Sequence, residues 1–268
     1  MEKVDYSRKY TSLYKEAIFK LNDDGDELIE IEEKIDEKYF NLTNKNEKLE
    51  IKYEKLEERT LVEKIETIFS EIHFSLDEKN DVDKLLNLEL ICSKWSKLMM
   101  KLLKEDLKTY EIEMVYEVLS LLERENDIKE ILKDYYLFRY LFMGIYEVSS
   151  SKLVINKKKE IKDLFIGDIL FDLKVEYLED EREIKITGKE VMEHSYANCI
   201  KDLKERGYIS SKEMGELKFL LNGKYLLNED NSVKDGEVSI IVRYHKREVG
   251  KEGKVLLEIK HLFNIKEV

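Results

Sequence analysis

Not one of the 268 residues is a proline, where ordinary usage of about 5% would supply roughly 13. A chain without proline is no collagen, no mucin-like stalk and holds no proline-rich linker. No Gly/Ser/Pro-rich segment divides it, and no internal repeat recurs at solenoid periods.

Charge bounds the chain next. Charged residues make up 40% and apolar residues 43%, so the chain can fold while its surface must be largely ionic. Asp and Glu number 59 against 47 Lys and Arg, a net charge of −12. The Lys-, Glu-, Ile- and Asn-heavy usage reads as bacterial-like and A/T-rich in its coding. Met1-Glu2-Lys3-Val4-Asp5 leads into no apolar stretch, so no signal peptide is expected. The densest apolar run, 135–148, is too short to span a bilayer and contains Arg139. Two cysteines, Cys92 and Cys199, make no disulfide framework. The expectation is a cytoplasmic protein in a reducing compartment, away from membranes.

Three textures succeed one another, as one or two compact domains overall. Residues 1–79 read as a mixed α/β segment. Tyr6, Tyr10, Leu13, Tyr14 and Ile18 recur at helical spacing and predict an opening helix. Asn22 to Asp26 form a turn, and the alternation at Ile29/Ile31 and Leu49/Ile51/Tyr53 predicts strands. Thr60-Leu61-Val62-Glu63 is a capping box, predicting a helix over 61–70. Residues 80–150 read as wholly helical, with caps at Asn80/Asp81, Asp106 and Asn126.

Residues 151–268 read as α+β. A hairpin is predicted over 169–177 and 183–187. A second capping box at Thr187-Gly188-Lys189-Glu190, with Gly207 as C-terminal glycine, predicts a helix over 188–206. Ser210 with Glu213 predicts a short helix closed by Gly223. The alternation at 238–244 and 255–263 predicts a terminal hairpin. The fold class expected is therefore α+β, with antiparallel hairpins at both ends of an all-helical central segment.

Chemistry-bearing patterns are few. Asn22-Asp23-Asp24-Gly25 fails as a calcium loop: with Gly25 at position 6, the flanking ligand positions fall on Lys20 and Ile31. No GxGxxG and no GxxxxGK[ST] occurs. His73, His194, His245 and His261 are scattered without HxxxH or CxxC, so no metal and no cofactor is expected. His261 alternates with Ile259 and Phe263 and reads as a core or interface imidazole. His194 and Cys199 are the most concentrated reactive pair. At 100° per residue they lie roughly 140° apart on a helix, so Cys199 reads as a buried structural thiol.

Trp95 and the run Tyr135, Tyr136, Arg139, Tyr140 are anchor types found in protein interfaces, and they are equally suited to a core. Lys157-Lys158-Lys159 and the basic residues of 243–254 are too weak a stripe for nucleic acid at −12 overall. An acidic surface instead steers a basic partner.

The sequence thus favours a non-catalytic interaction protein of immunity, inhibitor or adaptor kind. Its partner would be another protein with a basic contact surface. The alternative is an enzyme with an unfamiliar carboxylate- or His194-centred site.

Overall fold

The computed structural model describes residues 5–22, 24–45, 48–54, 56, 58–76, 82–124, 128, 132, 136–141, 143, 153–161, 164, 167–191, 196–247 and 253–268. The first half runs β1 (Tyr6–Leu21), β2 (Leu28–Lys45), β3 (Lys48–Glu54), α1 (Leu61–Glu66) with a 3-10 turn at Thr67–Phe69, β4 (Glu71–Leu76) and β5 (Val82–Leu85). Helices α2 (Leu88–Leu102), α3 (Thr109–Leu122) and α4 (Tyr136–Leu141) come next. The second half runs β6 (Val154–Ile161), β7 (Ile169–Leu178), β8 (Glu183–Glu190), α5 (Tyr196–Glu205), β9 (Gly215–Leu227), β10 (Val233–Lys246) and β11 (Val255–Glu267).

The strands of the described residues join one antiparallel sheet of 11, in the order β5-β4-β3-β2-β1-β11-β10-β9-β8-β7-β6. This corrects the expected α+β class. The molecule is predominantly a single sheet with short helices on it, not two sets of hairpins around a helical centre. The two halves meet in mid-sheet, where β1 pairs with β11 from Tyr10↔Glu267 to Lys20↔Leu257.

The sheet is not flat. Phe138 and Tyr140 stand close together on α4. The Phe138 ring meets Phe74 of β4 edge-on at 5.3 Å. The Tyr140 carbonyl accepts a hydrogen bond of 2.7 Å from the Tyr225 hydroxyl of β9. In strand order β4 and β9 are six places apart, about 29 Å across a flat sheet at ~4.8 Å per strand. A helix about 10 Å wide reaches both only where the sheet curls into a trough around it. Leu137, Phe138, Tyr140 and Leu141 are accordingly buried with the inward residues of the strands in one core.

Several local expectations fail for readable reasons. The segment predicted as an opening helix is β1. Tyr6, Tyr10, Tyr14 and Ile18 repeat every four residues, and four is a multiple of the strand period as well as close to the helical one. Ser12 settles it, being buried with them on the same face of a strand. Thr187 caps nothing, because it pairs with Lys174 of β7 and Asn222 of β9 inside β8. The helix there is shorter, beginning at Tyr196, and Gly207 does end it with a φ of 77°. Ser210 donates its N–H to the Glu213 carboxylate at 3.0 Å, yet the chain turns into β9 instead of a helix, and Gly223 lies within that strand. At 82–85 a short strand precedes α2. The predicted caps at Asn80/Asp81 and at Asn126 lie outside the described residues.

Others hold. Thr60 and Glu63 exchange both capping bonds, the Thr60 N–H donating to the carboxylate at 2.8 Å and the Glu63 N–H to Oγ1 at 3.2 Å. The hairpins β7–β8 and β10–β11 form as their alternation predicts.

A buried Tyr–His–Glu cluster and an exposed helix face

Inside the trough, β1 and β11 bring together the most chemically suggestive side chains of the described residues. Their register sets Glu16 opposite His261 and Tyr14 opposite Phe263. The Tyr14 hydroxyl lies 3.0 Å from Glu16 Oε2 and 2.9 Å from His261 Nδ1, and Nδ1 lies 3.3 Å from the same carboxylate oxygen. Tyr140 of α4 stacks on Phe263 with ring centres 5.2 Å apart and on Tyr14 at 6.3 Å.

The electrostatics hold the two phenols protonated and the carboxylate ionised. Burial, with Tyr140 and Glu16 nearby, pushes the Tyr14 phenol well above its ordinary range. Burial carries Tyr140 up to about 12. Burial also works to raise the Glu16 carboxyl, but hydrogen bonds from His261 and Tyr14 outweigh it, so its pKa falls. The Tyr14 phenol, kept protonated beside an ionised carboxylate, has its hydrogen bonds within the cluster, as buried polar groups require. General acid–base work further requires that substrate reach the proton. His261 and Tyr140 are each only 1% exposed, the Glu16 side chain is 20% exposed, and none of the three lines the apolar cavity between the sheet and helices α1 and α3. Hydrogen bonds within the cluster tie β1 to β11, and the Tyr140 ring packs α4 against them.

The residues singled out from sequence scatter. Trp95 on α2 and Arg139 and Tyr140 on α4 are buried. Tyr135, His194 and the Tyr136 side chain lie outside the described residues. Cys199 on α5 is buried, and burial lifts its thiol to about 11, far from the thiolate a nucleophile needs. Sequence reasoning placed His261 on an apolar strand face but missed Tyr14 and Glu16. Their alternation in β1 was the available signal.

A metal could be held at one place found among the described residues. Glu50, Glu71 and His73 on β3 and β4 bring three ligand atoms within 4.8 Å of one another, a set suited to a divalent cation. His73 Nε2 is meanwhile 2.9 Å from Glu71 Oε1.

The helices also present an apolar surface. Ile112, Tyr116 and Leu119 of α3 lie at i, i+4 and i+7, on one side of the helix, and are 42%, 66% and 37% exposed. Val115 and Leu122 are buried on another side. Glu113 and Glu117 are exposed next to the apolar stripe, and α3 carries no lysine or arginine along its length. Leu103, at the end of α2, is also exposed. Among the described residues, no helix is long and apolar enough to cross a membrane.

No family model matches the chain, and no curated protein matches it. A solved structure of lipovitellin, described for its lipid–protein interactions, is similar over 100% of this chain at 8% sequence identity and a TM-score of 0.47; the chain spans 25% of its length.

Proposed function

We propose that this chain is a non-catalytic, cytoplasmic protein-interaction protein whose contact surface is the outer face of α3. The observation that carries the reading is the stripe Ile112–Tyr116–Leu119, exposed and bordered by Glu113 and Glu117. Exposed aromatic and aliphatic side chains supply the buried centre of an interface, and tyrosine is a preferred anchor. The glutamates and the net charge of −12 select a partner that is basic at the contact and speed its approach. Tyr110 already takes a lysine over its ring, with Lys108 Nζ 5.8 Å from the centre, the kind of contact a basic partner would repeat.

A photo-crosslinking residue placed at position 116 in cells is the direct test. Its expected product is a discrete adduct with a protein that is basic around the crosslinked segment. Purified, that pair should associate more slowly as salt rises, because the Debye length shrinks from about 30 Å at 0.01 M to about 8 Å at physiological salt, while dissociation changes little. Glu113→Lys with Glu117→Lys should slow association further. No adduct at position 116, or a partner acidic at the contact, overturns the reading.

A further inference from the structure

We propose that the cavity between the sheet and helices α1 and α3 is a binding site for a neutral, mostly hydrocarbon molecule of about a dozen carbons. The cavity measures about 330 Å³, within the range of small-molecule sites and far above the gaps that close packing leaves. An apolar cavity of roughly 150 Å³ takes benzene, so one about twice as large suits about twice as many carbons. Its walls come from three directions: Tyr53 and Ile72 from the sheet, Ile65 and Phe69 from α1 and its 3-10 extension, Met114 and Val118 from α3. Apart from the Tyr53 hydroxyl and the Lys38–Glu66 pair, this lining is aliphatic, aromatic or thioether and gives no directional contact, so it selects for a molecule that is mostly hydrocarbon.

Charge decides against a fatty acid. Lys38 and Glu66 are the charged side chains among the described lining residues. They pair with each other at 3.1 Å, and Lys38 is also 3.2 Å from Asp36. The lysine is already countered by two carboxylates, so a third brought by a ligand would be repelled. An alcohol or an unfunctionalised chain enters without that cost. The assignment stands apart from the outer face of α3, since it uses the inward residues of that helix.

The full chain would be titrated with the neutral fluorophore N-phenyl-1-naphthylamine, then with 1-dodecanol and dodecanoate as competitors. Saturable fluorescence displaced by 1-dodecanol is expected, with dodecanoate at least tenfold weaker at pH 8. Val118→Phe and Met114→Phe should each weaken the fluorophore at least tenfold, while Tyr116→Ser on the outer face leaves it unchanged. Should the phenylalanine variants fail to fold, methyl NMR of the unaltered protein decides the matter. On adding 1-dodecanol the Met114 signal should shift, whereas the exposed Met100 and Met214 should not. Absence of saturable binding, tighter binding of dodecanoate, loss of binding in Tyr116→Ser, or shifts at Met100 and Met214 without Met114 would each overturn the assignment. Only the Tyr116→Ser outcome would point back to the interaction surface.

Discussion

Tyr14, Glu16 and His261 form a triangle in which the first and last are out of water and the carboxylate is half-buried. Tyr14→Phe deletes the hydroxyl and takes one partner each from the imidazole and the carboxylate, which still face each other at 3.3 Å. Losing hydrogen bonds of this kind costs about 1–3 kcal/mol, so the urea midpoint should fall accordingly with the helices still in place by circular dichroism. The acid limb carries the sign of the Glu16 shift. Its folded pKa lies below the unfolded value, which is near 4.3, so ionised Glu16 stabilises the fold above that value. This contribution fades as pH falls through the depressed folded pKa. Unfolding of wild type and Glu16→Gln at pH 7, 5 and 3 should show a gap that is widest at pH 7 and closes toward pH 3. A gap that widens on acidification would mean the carboxylate is not held by these bonds. Of the triangle, only the inward side of His261 was legible, from Ile259 and Phe263 two positions away on either side. Tyr14 is 247 residues distant, and nothing local encodes which strand will lie beside which.

Among elements, two motifs of the same form had opposite outcomes. Thr60 and Thr187 each precede a glutamate by three residues, but only Thr60 leads into a helix. The neighbour of Thr187 on its C-terminal side is Gly188, and here glycine is needed in a strand. A Cβ on Gly188 would stand 2.9 Å from Leu173 Cδ2 and 2.9 Å from Leu221 Cβ, so the bare backbone lets those neighbours meet across β8. Thr60→Ala should therefore cost about 0.5–2 kcal/mol. Thr187→Ala, exposed in mid-strand, should stay within about 0.5 kcal/mol. Paired denaturant curves check both, and equal losses would contradict the assignment of either threonine. Hairpins were legible because alternation and the intervening turn lie within one short window. β1 was not, because its aromatic repeat fits two periods at once. Proline's absence bears on this scale too. β1 and β2 run for 16 and 18 residues, several times a usual strand, and a proline in either would remove a ladder donor.

On the scale of the whole molecule the sheet is open among the described residues, so its outer strands must discourage other chains from adding on. β5 does so by being only 4 residues long. β6 does so with lysine: Lys157 and Lys159 share a strand face with the buried Ile155 and Ile161, and charges aimed toward the core side of an edge strand deter pairing. The basic run that reads from sequence as a weak nucleic-acid stripe thus has a structural use. Lys157→Val with Lys159→Val should raise light scattering during incubation well above that of Lys158→Val, whose side chain is exposed. Equal scattering by both would leave the lysines without this role. The trough was not legible at all, since it depends on α4 touching β4 and β9 together. The mid-sheet seam between β1 and β11 has a further consequence in time. Tyr10 and its partner Glu267 leave a ribosome roughly 13 to 50 s apart at about 5–20 residues per second. Throughout that interval β1 is an unsealed margin of the half-sheet made first, with its tyrosines waiting for a strand not yet translated. The hazard of being made is thus concentrated at the centre of this sheet, and it ends only when β11 arrives.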